Sequence, residues 1–197
     1  MSEQPSSIGV YVGVGSNLGN REENLSQAIS AIRKAGFPLL AASSIYETEP
    51  VDYLDQPWFL NQVVRVAPPE DPAAGLGGAE RALGHLLAIE QMMGRQRHVP
   101  AGPRLIDLDL LLWGSAVIAS TKSLPPAARF SFEDQGMTQS AQSVDLVVPH
   151  PRLHLRRFVL VPLTELAADL VHPVIGKTIE ELLAEVTDRS IVRIHHG

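Results

Sequence analysis

Cysteine is absent from the chain, which excludes a disulfide framework, a thiolate metal site and a cysteine nucleophile. Any metal must therefore use oxygen or imidazole ligands. Aromatic residues are scarce at 5 %, and positive charge is in deficit, with 16 Lys and Arg against 22 Asp and Glu for a formal net charge of −6. Both shortages argue against a nucleic-acid partner, which calls for a basic face and ring platforms for bases. The negative balance also opposes an anionic membrane surface. No run reaches the ~18 consecutive apolar residues of a membrane span, and residues 1–7 lack the basic start and apolar run of a signal peptide. These absences predict a cytoplasmic protein, read here as a monomer with neither nucleic-acid nor membrane partners.

What is present is enough for a core. Hydrophobic residues make up 45 % of 197, which suits one domain over 1–197. The charge is uneven: 5 basic and 11 acidic residues precede Arg95, and 11 of each follow from there. Arginine supplies 13 of the 16 basic residues, and its planar fork suits phosphate or carboxylate better than an ammonium does. Six fall in two windows, Arg95, Arg97 and Arg104, then Arg152, Arg156 and Arg157.

Residues 8–14 are β-branched and read as a buried strand, followed by a turn at Gly15-Ser16-Asn17-Leu18-Gly19-Asn20. Asn20 with Glu23 is a helix cap, and Leu25, Ala28, Ile29 and Ile32 carry the helical spacing as far as Gly36-Phe37-Pro38. Residues 39–46 and 59–67 read as strands joined by a long proline-containing segment. A linker over 68–78 precedes a helix marked by Leu83, Leu86, Leu87, Glu90 and Met93, a loop over 95–103, and an apolar strand over 105–113. The order βαββαβ predicts an α+β, ferredoxin-like core: an antiparallel sheet with helices packed on it. Residues 121–144 are polar and read as a flexible insertion. An apolar, partly helical stretch over 158–168 and a capped helix over 178–186 add C-terminal helical elements.

Asp107-Leu108-Asp109 interrupts the last apolar strand. Strand alternation sets both carboxylates on one face, roughly 6 to 7 Å apart, with Ile106, Leu108, Leu110 and Leu112 on the other. Two acids on such a strand repel unless a cation neutralises them, and hard oxygen ligands favour Mg²⁺. The competing reading pairs one Asp with Arg104 and leaves the other at a wet strand end; on the tripeptide alone the two stand level. Arginines flanking a metal point to polyphosphate. His150, between two prolines, is a phosphate contact or a packing histidine. Asn61, inside an apolar run, needs partners: a heterocycle edge or a neighbouring backbone edge serves equally. The Gly15–Gly19 segment lacks the lysine and spacing of a phosphate loop, so it reads as a tight turn.

Taken together, Gly15-Ser16-Asn17-Leu18-Gly19, Tyr46-Glu47-Thr48-Glu49-Pro50, Gln56-Pro57-Trp58-Phe59-Leu60-Asn61, Glu90 with Gly94-Arg95-Gln96-Arg97, Gly102-Pro103-Arg104-Leu105-Ile106-Asp107-Leu108-Asp109, and Pro149-His150-Pro151-Arg152 resemble the 6-hydroxymethyl-7,8-dihydropterin pyrophosphokinases of folate biosynthesis. The resemblance implies transfer of pyrophosphate from ATP to the pterin hydroxymethyl group, releasing AMP. It implies two Mg²⁺ ions on Asp107 and Asp109, and catalytic roles for these two with Arg95, Arg97 and Arg104. It further implies ATP contacts from Glu90, Arg97, Arg104, Leu110, His150 and Arg156, and pterin contacts from Thr48, Val51, Phe59, Asn61, Asp107 and Phe158. The sequence departs from the family in carrying Pro100-Ala101 where members often have an Arg-Trp pair, Leu87 for a glutamine, and a longer connection over 121–144. The alternative is a catalytically weak paralogue that binds pterin or nucleotide.

Overall fold

The computed structural model describes residues 9–68, 75–94, 101–123 and 143–196. Strand β1 (Val10–Ser16) enters a tight turn and then helix α1 (Arg21–Lys34). The expected cap forms: the Asn20 side chain accepts the Glu23 N–H at 3.2 Å, and Gly19 in the turn takes a φ of +64° that glycine adopts without steric cost. Residues 39–46, expected as one strand, are two: β2 (Leu39–Ala42) and β3 (Tyr46–Thr48). Ser43 makes the break. Its hydroxyl accepts the Val63 N–H at 3.0 Å, a side-chain bond standing where a ladder bond would otherwise run.

Strand β4 (Phe59–Val66) leads to α2 (Gly75–Met92), which begins inside the stretch that composition marks as linker. Glycines at 75, 77 and 78 mask the helix, being its weakest ordinary formers. Strand β5 (Asp107–Trp113) closes the core. Beyond it, β6 (Ile118–Ser123) and β7 (Ser143–Val148) pair antiparallel from Ile118↔Val148 to Ser123↔Ser143. The ends of the expected flexible insertion are therefore strand, because the ribbon that carries them is anchored by Ile118, Leu146 and Val148, which bury against the core. Residues 124–142 of that insertion lie outside the described residues. A 3-10 turn (Leu153–Leu155), helices α3 (Arg157–Ala167) and α4 (Ile179–Glu185), and strand β8 (Val192–Ile194) follow.

The main sheet is antiparallel with order β5-β1-β4-β3-β8, and β2 also pairs with β4. This is the ferredoxin-like α+β core that the element order predicts. On one face, Val10, Val12 and Val14 of β1 pack with Leu25, Ala28 and Ile32 of α1 and with Leu86 and Ile89 of α2. On the other face, Tyr11, Val63 and Leu111 pack with Val159, Leu160 and Leu163 of α3 and Leu182 of α4. Each fully buried Leu contributes about 2 kcal/mol by taking its apolar surface out of water. Among the described residues no helix is long and apolar enough to cross a membrane.

The simple alternation expected for β5 fails at its end. Val12 pairs with Leu110 while Tyr11 pairs with Leu112, so Leu111 is an extra residue in a bulge. Leu112 consequently joins Leu111 on the α3 face, and Trp113 turns to the α1 face.

Candidate active site

The α3 face of the sheet is only half covered. Beyond Tyr11, β1 presents Gly13 and Gly15 on that face, flanked by Asn61 and Val63 of β4 and by Asp107 and Asp109 of β5. With no side chains on the central strand, a cavity of about 260 Å³ opens there. Its floor needs Gly15, since a Cβ at that position would stand 2.6 Å from Asn61 Oδ1. Gly13 is less constrained, its nearest neighbour being the Leu111 side chain at 3.6 Å.

Ten of the predicted site residues line this cavity: Thr48, Val51, Phe59, Asn61, Arg104, Asp107, Asp109, His150, Arg156 and Phe158. They come from three stretches far apart in sequence, 48–61, 104–109 and 150–158. Arg95 and Arg97 lie outside the described residues. Glu90 and Leu110 stand elsewhere. Leu110 is 4 % exposed in the core beneath α1 and α2, on the far side of β5. Glu90 is buried on α2, and its Oε1 accepts the Leu108 N–H at 2.7 Å. That N–H belongs to the edge strand of the sheet and has no ladder partner on its outer side, so the carboxylate serves the main chain of β5 between the two aspartates. Replacing Glu90 by Ala should lower unfolding free energy by about 2 kcal/mol, the cost of a buried N–H left unpaired, while Glu90→Gln keeps an acceptor and costs less. Urea denaturation measures both; an Ala variant as stable as the parent would contradict this role.

The two aspartates share a face, as alternation requires, and the rival ion-pair reading is also partly realised: Arg104 Nε lies 3.2 Å from Asp107 Oδ2. The pairing leaves the cavity open beside both carboxylates. Arg104 is held by a residue that the sequence marks only as part of a turn. Asn17, 2 % exposed, accepts the Arg104 N–H through Oδ1 at 2.8 Å and donates Nδ2 to Gln56 Oε1 and the Pro57 carbonyl, each at 3.0 Å. Gln56 Nε2 in turn reaches the Ala101 carbonyl at 3.0 Å. These bonds stitch the 49–58 segment to the chain entering β5. Within the protein, Asn61 Nδ2 donates to Thr48 Oγ1 at 2.8 Å, a side-chain partner rather than a neighbouring backbone edge.

The second arginine window divides. Arg152 and Arg156 line the cavity. Arg157 does not; its N–H caps α3 against Asp188 Oδ2 at 2.8 Å. The Arg104 guanidinium lies 5.2 Å from the Phe59 ring centroid and the Arg156 guanidinium 5.4 Å from that of Phe158, both cation–π contacts. Burial and the Arg152 charge push Arg156 below its ordinary pKa, against the pull of Asp109, Asp52 and Asp107. The positive charge here is thus partly desolvated, the condition in which an anion is welcome.

His150 is anchored by its N–H to the Leu111 carbonyl at 2.9 Å, on the same open edge of β5. Its Nδ1 accepts the Arg152 N–H at 3.2 Å, which assigns the proton of the neutral ring to Nε2. Burial, then Arg156 and Arg152, push its pKa from 6.5 down to about 4, with Asp107 opposing. The unfolded chain protonates this ring near 6.5 and the folded chain only near 4, so its contribution to stability is complete above the first value and lost as pH falls toward the second. In His150→Gln, the drop in urea midpoint from about pH 7 to about pH 4.5 should be shallower than in the parent. An unchanged slope would show that the ring protonates as freely in the fold as outside it.

The sequence profile of one family, described as 7,8-dihydro-6-hydroxymethylpterin-pyrophosphokinase (HPPK), matches residues 11–168. The chain belongs to that HPPK family. Among its relatives, the 2-amino-4-hydroxy-6-hydroxymethyldihydropteridine pyrophosphokinase of Bacillus subtilis is 32 % identical over 93 % of this chain and 88 % of its own length. That of Haemophilus influenzae is 31 % identical over 95 % of this chain and 99 % of its own. The folic acid synthesis protein fol1 of Pneumocystis carinii is 35 % identical over 92 % of this chain, which spans only 20 % of that longer protein. The fold is similar to a crystal structure of HPPK-DHPS in complex with substrates, with a TM-score of 0.64 at 15 % identity, covering 90 % of this chain and 43 % of that one. It is equally similar to Plasmodium falciparum wild-type HPPK-DHPS with pterin and p-hydroxybenzoate, at 0.64 and 16 % identity, over 94 % of this chain and 42 % of that one. At such identities the likeness speaks for the HPPK fold alone.

Proposed function

We propose that this chain transfers the pyrophosphoryl group of ATP to the hydroxymethyl oxygen of 6-hydroxymethyl-7,8-dihydropterin, in folate biosynthesis. The hydroxyl oxygen bonds to the β phosphorus, the bond from that phosphorus to the α-bridging oxygen breaks, AMP leaves, and the hydroxyl proton passes to solvent. The observation that carries this reading is the convergence, over a glycine floor, of two aspartates, three arginines, an amide and two phenyl rings.

The donor set fits Mg²⁺. Asp107 and Asp109 offer hard oxygens on one face of β5, and no cluster of three or more His, Asp or Glu exists among the described residues. Two carboxylates with phosphate oxygens and water completing the shell is the arrangement Mg²⁺ favours. When bound there, Mg²⁺ supplies neutralisation of phosphate charge and a lowered pKa for the attacking hydroxyl. Arg104, Arg156 and neutral His150 orient the phosphates, His150 by donating from Nε2. Phe59 and Phe158 stack on the flat pterin, and Asn61 with Thr48 reads its polar edge. Entry of the ring exchanges the guanidinium covers of the two phenyl groups for stacking, and frees Arg104 and Arg156 to turn to phosphate. Arg95 and Arg97, outside the described residues, complete the phosphate clamp in this reading. Glu90 and Leu110 support β5 from behind.

The test is product identity. Protein supplied with Mg²⁺, ATP and the pterin should form AMP and the pterin pyrophosphate in equal amounts. ADP as product would overturn pyrophosphoryl transfer, and pterin binding without AMP release would favour the weak paralogue.

A further inference from the structure

The cavity holds an ion-pair system whose carboxylate, Asp52, the reaction above does not use. Asp52, in the segment between β3 and β4, lines the cavity and places Oδ2 3.0 Å from the Arg152 guanidinium and 3.3 Å from that of Arg156. One carboxylate oxygen thus gathers two cations from a segment 100 residues away in sequence. As a staple for the fold the arrangement is weak. Asp52 and Arg152 are half exposed, at 49 % and 54 %, and pairs of that kind contribute little in water. As an anion held between two guanidiniums, Asp52 resembles chemically what a phosphate oxygen would be there.

We propose that Asp52 is an internal counter-anion for Arg152 and Arg156, which nucleotide polyphosphate must displace, and that this residue thereby sets affinity for ATP. The inference rests on the phosphate-binding reading of the cavity. Among the described residues three side chains carry positive charge into this space, Arg104, Arg152 and Arg156, and four carboxylates line it, Glu49, Asp52, Asp107 and Asp109, of which Glu49 accepts the Ile191 N–H. Asp107 and Asp109 are assigned to Mg²⁺ and so help nucleotide to bind. Asp52 has no such compensation. It stands against the arginines and repels an incoming phosphate until it moves aside. Its neighbour Val51 is a proposed pterin contact, and Thr48 lies four residues before it, so releasing Asp52 from the arginines also releases the segment that borders the pterin. Asp52 acts through the arginines and is a positioning residue, not a catalytic one.

The experiment is calorimetric titration with Mg²⁺ and α,β-methylene ATP, whose bridging carbon prevents the bond between the α and β phosphates from being broken by transfer. It is run on the parent chain, Asp52→Asn and Asp52→Glu, at low and at physiological salt. Asp52→Asn should bind about threefold to tenfold more tightly, the gain shrinking as salt screens the charge. Asp52→Glu, which keeps the anion, should bind like the parent. In turnover assays the Asn variant should show a matching fall in KM for ATP with no rise in kcat, a split that loss of a mere structural tie would not produce. Thermal melts of both variants check that the fold is retained. Equal or weaker binding by Asp52→Asn, with the parent binding normally, overturns the role of Asp52 alone. Failure of all three proteins to bind overturns the phosphate reading of the cavity and this inference with it.

Discussion

Changing Asp107 or Asp109 to Asn should reduce the rate of AMP formation by about two orders of magnitude or more, with unfolding free energy within about 1 kcal/mol of the parent. The two expectations have one cause. Both side chains face the cavity from β5, and neither belongs to the apolar clusters that hold the sheet to its helices. Asp107 does have a local partner in Arg104, with each side chain about one-fifth exposed, at 21 % and 19 %. Losing that pair costs little in a site that water reaches. Losing a negative charge from a proposed Mg²⁺ site removes a ligand whose work falls on the transferring group. Calorimetry adds a readout independent of turnover: the Mg²⁺ dependence of α,β-methylene ATP binding should flatten in both variants. Near-parental turnover in both would defeat the metal assignment.

A single methyl group on the floor of the site should be nearly as damaging to substrate recognition. Gly15→Ala brings a Cβ within 2.6 Å of Asn61 Oδ1, closer than real contacts allow, so the amide must rotate or shift. Its bond to Thr48 Oγ1 moves with it, and both are proposed readers of the pterin edge. The KM for pterin should rise about tenfold, because a displacement near 1 Å is enough to spoil positioning. Gly13→Ala is the internal comparison. Its new methyl meets only the Leu111 side chain, at an ordinary 3.6 Å, and the effect should be smaller. Equal pterin KM values for Gly15→Ala and the parent would refute the claim that this glycine shapes the site.

Much of the site can be read from the chain because the strongest signals were violations of local pattern. Acids at 107 and 109 interrupt an apolar strand, Asn61 interrupts another, and arginines gather in two windows. Where pattern is weak, the reading fails. The helix α2 starts among glycines, β6 ends and β7 begins in a polar stretch, and β8 is only three residues long, too short for periodicity to register. The bulge at Leu111, which sends Leu112 to the unexpected face, depends on the register with β1 and has no signature in β5 itself.

The roles of Asn17, Asp52 and Glu90 illustrate the same limit more sharply. Asn17 sits in a turn motif, Asp52 in a proline-bearing loop and Glu90 on a helix, and each is unremarkable among its neighbours in sequence. Their functions come from partners 87, 100 and 18 residues away, at Arg104, Arg152 and Leu108.

By itself the amino-acid sequence determined the βαββαβ order of the core, the ferredoxin-like fold that follows from it, and the residue types able to handle phosphate and a flat heterocycle. Those properties are local: alternation, capping and charge act over a few residues. The tertiary structure alone decided that glycines of β1 would form a floor between Asn61 and the two aspartates, that Arg157 would turn away while Arg152 and Arg156 turned in, and that Glu90 would brace β5. Each of these depends on which segments the sheet order brings side by side, and contact between distant segments is set by packing the whole chain around its two buried layers.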